Sequence, residues 1–230
     1  MKKILSILTA MVFVFFSVNL ANAQKTKTFQ GTITYDISYN SATLTPAQKA
    51  MLPTSETVTI KDCKTKTETD LGQGASMTVI IDGSTKGYTL LLEYMGEKYA
   101  VKYTAADTAE VMSKIKIPTV KIAAETKVIS GFTCKKAILT STNDDGTTVN
   151  DTVYYSEEIG CKDINFMSEF KNVQGTILES TQYSSQVEGT IVKKTKEIKK
   201  GKVADTVFMI PSDAKEMTKE EFKKMFGGGE

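Results

Sequence analysis

Hydrophobic and polar residues alternate along most of this chain, in short runs that predict β-strands. In the clearest run, Thr28 to Tyr39, every second residue is apolar or glycine, which is typical of a strand with one buried face. Gly87 to Met95 carries apolar residues on both of its faces, so we expect it to be covered on both sides. Turn pairs such as Asp82-Gly83 and Ser130-Gly131 separate these runs. The pattern predicts a mainly β (α+β) fold, with about ten strands in one strongly curved antiparallel sheet or half-barrel.

Two or three short helices are expected among the strands. Thr45 and Gln48 form a capping box, which predicts a helix start. Ala105 to Lys116 has a loose apolar stripe, and we expect this helix to pack on the concave face of the sheet. A second capping box at Thr218 opens a terminal helix. The alternation from Val203 to Ile210 predicts the last strand.

The first 23 residues have the features of a secretory signal peptide. Lys2 and Lys3 precede an apolar run, and Ala21-Asn22-Ala23 has the form of a cleavage site. The run is shorter than the roughly 20 residues that span a bilayer. We therefore expect an exported protein of the periplasm or extracellular space, without a transmembrane anchor after cleavage. The mature chain is interpreted as one β-rich domain, residues 24–226, with a flexible tail, residues 227–230.

The charge pattern argues against a nucleic-acid partner. After cleavage, 27 acidic residues are matched by an equal number of lysines, and the chain has no arginine. Nucleic-acid binders usually carry a clustered basic face with arginines that contact bases or phosphates. The basic run from Lys193 to Lys200 alternates with Thr, Glu and Ile, so we interpret it as the solvated face of an edge strand. The alternative is a patch for a polyanion or a membrane surface.

The absence of histidine excludes several kinds of chemistry. It rules out Ser-His-Asp and Cys-His catalysis, and with three cysteines it also rules out the common zinc sites. The acidic pairs Asp144-Asp145 and Glu157-Glu158 could serve acid–base chemistry or Ca²⁺, but turn chemistry accounts for the first pair. We therefore expect no enzyme activity, no metal site, no catalytic residue and no cofactor.

The segment Ile129-Ser130-Gly131-Phe132-Thr133-Cys134-Lys135-Lys136-Ala137 resembles a motif shared by two related secreted bacterial families. They are the GLPGLI family, typical of Bacteroidetes, and the domain of unknown function 4412. The aromatic pair Tyr154-Tyr155 with a following acidic residue fits both families, and so does the opening run from Phe29 to Tyr35. The loop that names the GLPGLI family is degenerate here, as Asn172 to Ile177, which favours the second family or a divergent member of the first.

This resemblance implies a fold like that of the periplasmic lipoprotein carriers. In that fold a curved antiparallel half-barrel holds helices around an apolar cavity. Seven residues of the first and fifth apolar runs would line such a cavity: Phe29, Ile33, Tyr35, Tyr88, Leu90, Leu92 and Tyr94. The ten methionines and the many aromatic residues fit a lipophilic cavity, but they equally fit an ordinary β-core.

Cysteine and threonine residues suggest two covalent features. An exported chain meets an oxidising compartment, and Cys134 and Cys161 lie at strand ends within the family motif, so we predict a disulfide between them. Pairing of Cys63 with either residue, or three unpaired buried thiols, stays open. Three Asp-Thr pairs resemble the O-glycosylation acceptor of exported Bacteroidetes proteins, at Thr108, Thr152 and Thr206.

Two functions are compatible with these features. The leading hypothesis is a non-enzymatic binder of an apolar ligand, such as a lipid, in a cavity of the curved sheet. The alternative is a structural or interaction protein of the cell envelope with a fully packed core and a protein partner. An apolar cavity over the predicted strands Phe29–Tyr39 and Tyr88–Tyr94 would favour the binder, and a solid core there would favour the alternative.

Overall fold

The structure is a computed structural model that describes residues 28–143 and 146–226. The predicted signal peptide, the Asp144-Asp145 pair and the predicted tail lie outside the described residues. The strands are β1 Gln30–Ser41, β2 Ser55–Lys61, β3 Lys64–Gly72, β4 Ala75–Asp82, β5 Gly87–Tyr94, β6 Glu97–Tyr103, β7 Thr119–Ile129, β8 Phe132–Thr142, β9 Thr148–Ser156, β10 Thr176–Ser184, β11 Gly189–Lys200 and β12 Lys215–Met217. The helices are α1 Pro46–Ala50, α2 Ala105–Lys114 and α3 Lys219–Phe226, with 3₁₀ turns at Glu169–Asn172 and Asp205–Phe208.

These strands form one open sheet of 12 strands, in the order β12-β6-β5-β4-β3-β2-β1-β11-β10-β9-β8-β7. Every pair is antiparallel except β12, which pairs with β6 in parallel. The mainly β prediction is confirmed, although the sheet has more strands than expected. Hairpins build both halves of the sheet, and the pairing of β1 with β11 joins them.

The sheet must be curved, because α2 connects two strands that lie far apart in it. Strands β6 and β7 are separated by ten strand spacings, which is about 48 Å in a flat sheet. The chain between Tyr103 and Thr119 holds a ten-residue helix and short linkers, and it spans at most about 40 Å. It also runs over the inner side, since Lys114 and Pro118 line a cavity together with Ile191 of β11. The predicted position of this helix inside the curved sheet agrees with that path.

Three rows of side chains define the inner face of the β1–β6 half. Each row consists of residues that are register partners from β1 to β6. Within one strand, the members of neighbouring rows are two residues apart, so their side chains point to the same face of the sheet. The rows are Gly31-Ile60-Thr65-Ile81-Tyr88-Tyr103, Ile33-Val58-Thr67-Val79-Leu90-Val101, and Tyr35-Glu56-Thr69-Met77-Leu92-Tyr99.

A segment between β9 and β10, residues 157–175, covers part of this face, and we call it the cap segment. Its Ile159 and Ile164 join Ile33, Tyr35 and Leu178 in the main core cluster. A second cluster forms around Val153 and Tyr155 of β9, with Val173 of the cap segment. The cap segment thus completes the core over the middle of the sheet.

A disulfide fastens the cap segment to the β2–β3 turn. Cys161 pairs with Cys63, with 5.2 Å between their Cα atoms, and Cys134 is a free, buried thiol. The predicted Cys134–Cys161 bridge is therefore wrong in this structure. The physical reason is that Cys134 points into the core of β8, while the cap segment leaves the sheet and reaches the far turns. Its Asp163 also forms an ion pair of 3.0 Å with Lys86 in the β4–β5 turn.

The chain after β11, residues 201–214, crosses the outer face as an extended strap. Gln30 accepts the Val203 N–H at 3.2 Å, and Lys61 forms an ion pair of 2.9 Å with Asp205. The strap contains a 3₁₀ turn, so the prediction of a strand over Val203 to Ile210 is wrong. Strand β11 is already paired on both sides, which leaves this segment no sheet edge until it reaches β6.

The basic run from Lys193 to Lys200 belongs to the centre of the sheet. Strand β11 pairs with β1 and β10, so the interpretation as an edge strand is wrong. Some of its lysines are neutralised across the sheet: Lys193 contacts Glu56, and Lys196 lies 3.2 Å from Asp36. These cross-strand ion pairs let a lysine-rich sequence occupy a central strand.

Candidate binding sites

The seven residues predicted to line a cavity fall into two groups. Ile33 and Tyr35 are 0% and 2% exposed and belong to the packed core. The Tyr35 hydroxyl donates to the Ile177 carbonyl at 2.8 Å, and burial raises its pKa. The cap segment fills the space above both residues, so they line no cavity. Phe29 is also buried, at the base of an open cleft.

The other four residues lie on β5, where the inner face is less covered. Tyr88, Leu90 and Leu92 are half-buried, and Tyr94 is 45% exposed. Without Tyr94, these residues and their neighbours on β4 and β6 form one continuous surface, which we call the apolar patch. Its members are Met77, Val79, Ile81, Tyr88, Leu90, Leu92, Tyr99 and Tyr103, all half-buried.

Aromatic contacts order one end of the apolar patch. The rings of Tyr88 and Tyr103 meet edge to face with centroids 4.8 Å apart. Burial, and secondarily the nearby Tyr103, raises the pKa of Tyr88 to about 12. Val101, in the middle one of the three inner-face rows, is fully buried. The hydroxyl groups therefore stay neutral at ordinary pH and leave the surface without charge.

Helices α2 and α3 border the apolar patch on the β6 side. Phe226 of α3, the terminal helix, packs edge to face against Tyr99, at 5.1 Å between centroids. Lys219 of α3 forms ion pairs with Asp107, at 3.5 Å, and with Glu110 of α2. Lys114 and then Lys219 lower the pKa of Glu110 to about 2, so this link between the helices persists over a wide pH range.

Three threonines of β3 separate the apolar patch from the packed core. Thr65, Thr67 and Thr69 occupy the inner face, and Thr65 and Thr69 are buried. Hydroxyl groups there are compatible with a polar border between two apolar regions.

Several cavities lie outside the apolar patch, and two of them have volumes above 700 Å³. The first, of about 750 Å³, has the buried rings of Phe29 and Phe132 at its base and Lys61, Lys200 and Lys202 around it. The Lys200 ammonium sits 4.3 Å from the centre of the Phe132 ring, which is a cation–π contact.

The second cavity, of about 720 Å³, is more polar, and we call it the polar cavity. It lies between the C-terminal end of α2, strands β8 to β11 and the 3₁₀ turn of the cap segment. Asp151 and Glu169 both line it. Burial is the main cause that raises the pKa of each carboxyl group, and the charge of Asp151 adds to the effect on Glu169. A cleft with perturbed carboxyl groups is a typical feature of a binding site.

Sequence reasoning did not single out Glu169, and it treated Asp151 only as part of an Asp-Thr pair. One signal was available. Asp151 lies on the same strand face as Val149, Val153 and Tyr155, so a carboxylate occupies an inward position of the strand. Glu169 reaches the cavity only through the path of the cap segment, which no local pattern encodes.

The remaining predicted residues lie apart from these cavities. Thr206 is exposed, Thr152 is half-buried, and Thr108 is buried with its hydroxyl donating to the Ala105 carbonyl at 2.9 Å. Thr206 is thus the accessible candidate for glycosylation, which stays a prediction. Burial raises the pKa of Cys134 to about 11, so this thiol is not activated.

The described residues lack two further kinds of feature. Within residues 28–143 and 146–226, no cluster of three or more His, Cys, Asp or Glu side chains has the geometry to hold a metal ion. No helix in the same ranges has the length and apolar character needed to cross a membrane.

Comparison with known proteins adds support at the level of the fold. No protein-family model and no curated protein sequence matches the chain. A solved structure of PNGF-II, in space group C2, aligns with 86% of this chain and 32% of its own, with a TM-score of 0.54 and 16% identity. At that identity the likeness shows the fold alone, and this chain spans about a third of that protein's length.

A second solved structure has a lower similarity. It is a putative outer membrane lipoprotein-sorting protein domain from Vibrio parahaemolyticus, 8% identical over 80% of this chain and 92% of its own, with a TM-score of 0.23. A score of that size carries no argument about fold or function.

Proposed function

We propose that this protein is an exported, non-enzymatic binding protein that holds a small apolar molecule on the apolar patch. The observation that carries the proposal is the contrast between the two regions of the inner face. Over β1 and β2 the apolar side chains are buried beneath the cap segment, whereas over β4 to β6 eight apolar side chains remain half-buried. A continuous apolar surface that is partly exposed to solvent is typical of sites that a ligand or a partner covers.

The size of the apolar patch favours a small molecule over a protein. It extends over three strands and about five residues along each, or roughly 14 Å by 13 Å. The resulting area of about 200 Å² is well below the roughly 800 Å² that each partner contributes to a stable protein interface. It matches one or two acyl chains or a compact ring system.

The surroundings of the patch suit a ligand with a largely apolar surface. No charged residue belongs to the patch, and the threonine row of β3 limits it on one side. On the other side α3 contributes the ring of Phe226 and the exposed side chain of Met225. A methionine can adjust to ligands of different shape, so we expect broad selectivity among apolar molecules.

Export and family are parts of the same proposal. The signal-peptide features of residues 1–23 support secretion, and a disulfide is compatible with an oxidising compartment. The motif around Gly131 and Cys134 supports membership of the domain of unknown function 4412 or a GLPGLI-like family. A lipoprotein-carrier-like role rests on that resemblance.

A second candidate function is that of an interaction protein of the cell envelope. The observation that favours it is β7, an edge strand of 11 residues with Ile122 and Val128 exposed at 59% and 69%. Such an edge offers backbone groups to a partner strand. The bulge between Ile122 and Thr126 interrupts the ladder, so a partner strand would pair over only part of the edge.

The two candidates can be separated with one pair of variants. Leu90 lies in the patch, and its neighbour Thr89 points to the outer face of the same strand. We expect the mature protein to bind the fluorescent apolar probe N-phenyl-1-naphthylamine, and Leu90→Asn to weaken that binding at least ten-fold. Thr89→Asn should leave it unchanged.

Native mass spectrometry of the protein purified from its own host provides the second readout. A bound apolar molecule that is lost in Leu90→Asn and kept in Thr89→Asn would support the proposal. An empty protein that also ignores the probe would contradict it and favour the interaction role. Hydrolysis of generic ester substrates would overturn the non-enzymatic part.

A further inference from the structure

The polar cavity is a concavity built by several distant parts of the chain. Lys114 and Pro118 come from the α2 end, Leu139 from β8, Asp151 from β9 and Ile191 from β11. Its volume of about 720 Å³ lies within the range of small-molecule sites, about 300 to 1,000 Å³. The wall combines aliphatic side chains with carboxyl, amide and hydroxyl groups, so it can hold a molecule that has both a polar head and an aliphatic part.

The two carboxylates in this wall lack a compensating cation. Asp151 accepts the backbone N–H of Tyr183 at 2.7 Å, and Glu169 accepts the side-chain amide of Gln182. Neither takes part in an ion pair within residues 28–143 and 146–226. A carboxylate offers about four lone-pair sites, so both keep acceptor capacity toward the cavity.

This pair is distinct among the acidic side chains that the structure describes. Most other half-exposed carboxylates sit beside a lysine, and wherever their pKa shifts it is lowered, as for Glu110 and Asp205. In the polar cavity the pKa of each carboxyl group is raised, because burial is not offset by a neighbouring positive charge. A cation that entered the cavity would supply the missing positive charge beside the two carboxylates.

Two lysines and a tyrosine also line the cavity. Lys114 forms an ion pair of 2.7 Å with Glu110, which lies on its own helix. Lys116 has a contact of its own. Tyr183 also lines the cavity, and its backbone N–H is the group that donates to Asp151.

We propose that the polar cavity binds an aliphatic organic cation through a primary ammonium group held between Asp151 and Glu169. The ammonium donates hydrogen bonds to the two carboxylates, and its aliphatic part lies against Leu139, Pro118 and Ile191. A divalent metal has less support, because the described residues hold no group of three or more His, Cys, Asp or Glu side chains that could bind a metal ion. This site is separate from the apolar patch, so the proposal does not depend on the function proposed above.

The test compares two molecules of equal length with the mature protein. The probe is 1,6-diaminohexane, and 1,6-hexanediol is its neutral counterpart. Isothermal titration calorimetry at pH 7.5 should show saturable binding of the diamine and at least ten-fold weaker binding of the diol. Asp151→Asn and Glu169→Gln should each weaken diamine binding at least ten-fold. Asp213→Asn, an exposed carboxylate paired with Lys98 at 2.7 Å far from the cavity, should not change it.

The pH dependence gives an independent readout. Diamine binding should weaken as the pH falls through the raised pKa values of the two carboxyl groups, since protonation removes the negative charge. Lys114, Lys116 and Tyr183 are the other charged or titratable residues that line the cavity. Binding that is unchanged between pH 7.5 and pH 4 would overturn the proposal.

Three further outcomes would also overturn it: no saturable diamine binding, equal binding of the diol, or tighter binding of Ca²⁺ than of the diamine. Where a variant does not fold, amide chemical shifts of the unmodified protein decide. Shifts at Gln182 and Tyr183 on addition of diamine support the site, and their absence contradicts it.

Discussion

The pairing of Cys63 with Cys161 makes a quantitative prediction about reduction. The bridge closes a loop with a sequence separation of 98. In the chain-entropy description, a loop of this size restricts the unfolded chain by about 4.7 kcal/mol. A bridge between Cys134 and Cys161 would close a much shorter loop and contribute about 3.5 kcal/mol.

The perturbation is dithiothreitol, applied to the mature protein and to three single variants. Urea unfolding, followed by circular dichroism, gives the free energy of unfolding with and without the reductant. We expect reduction to lower it by about 3 to 5 kcal/mol, because the loss of a native disulfide has effects of this size. The cap segment should loosen at the same time, because Asp163 and Lys86 are then its main remaining polar link to the far turns.

The variants decide which cysteines form the bridge. In Cys63→Ala and Cys161→Ala the reductant should have no effect, since the bridge is already absent. Cys134→Ala should keep the full effect of the reductant, although the variant itself loses about 1 kcal/mol through the cavity it leaves in the core. Loss of the reductant effect in Cys134→Ala, with the effect retained in Cys63→Ala, would refute the pairing.

Three other predictions concern packing and protonation. Gly83→Ala should destabilise the fold by about 1 to 3 kcal/mol, because a Cβ there would lie 2.8 Å from the Asp163 carbonyl oxygen, whereas Gly201→Ala, with open space around it, should be neutral in the same urea titration. Ile33→Ala removes a fully buried side chain from the main cluster and should lower the unfolding free energy by about 2 to 5 kcal/mol; a smaller loss would mean that the cap segment is loosely packed. Glu169→Gln should raise stability at pH 7 and not at pH 3: burial raises the folded-state pKa, so the penalty of the ionised group is absent below the unfolded pKa and develops as the pH rises through the folded one. A stability gain that is equal at both pH values would contradict this reasoning.

Local patterns predicted the parts of the fold that local physics determines. The alternation of Phe29 to Tyr35, the capping box of Thr45 and the turn at Ser130-Gly131 are all present, because strand faces, helix starts and tight turns depend on neighbouring residues. At the turn both residues adopt positive φ, 49° and 84°, as a two-residue hairpin requires.

Long-range features were not predictable in the same way. The lysines between Lys193 and Lys200 suggested an edge, since a sequence does not show that acidic side chains such as Glu56 lie across the sheet. Val203 to Ile210 alternates like a strand but has no free edge beside it. Cys161 was assigned to the nearer cysteine because the path of the cap segment, and with it the contact to Cys63, depends on tertiary packing.

The candidate sites show the same division. Tyr88, Leu90 and Leu92 were assigned to a concave apolar surface from the family resemblance, and they lie on the half-buried inner face. The polar cavity was not predicted, because Glu169 and Asp151 meet only when the cap segment folds over β9. Its signature is the desolvation of two carboxyl groups, which exists in the folded chain and not in the sequence.

The pairing of β1 with β11 also determines the order in which this protein can fold. Register partners such as Asp36 and Lys194 lie far apart in the sequence, so β1 can pair with β11 only late in synthesis, and only the pairing of β12 with β6 becomes available later. Until then β1 is paired with β2 on one side, and its other hydrogen-bonding edge stays open. The chain therefore spends that interval exposed to aggregation and to chaperones, and a fragment that stops before Gly189 would never leave that state.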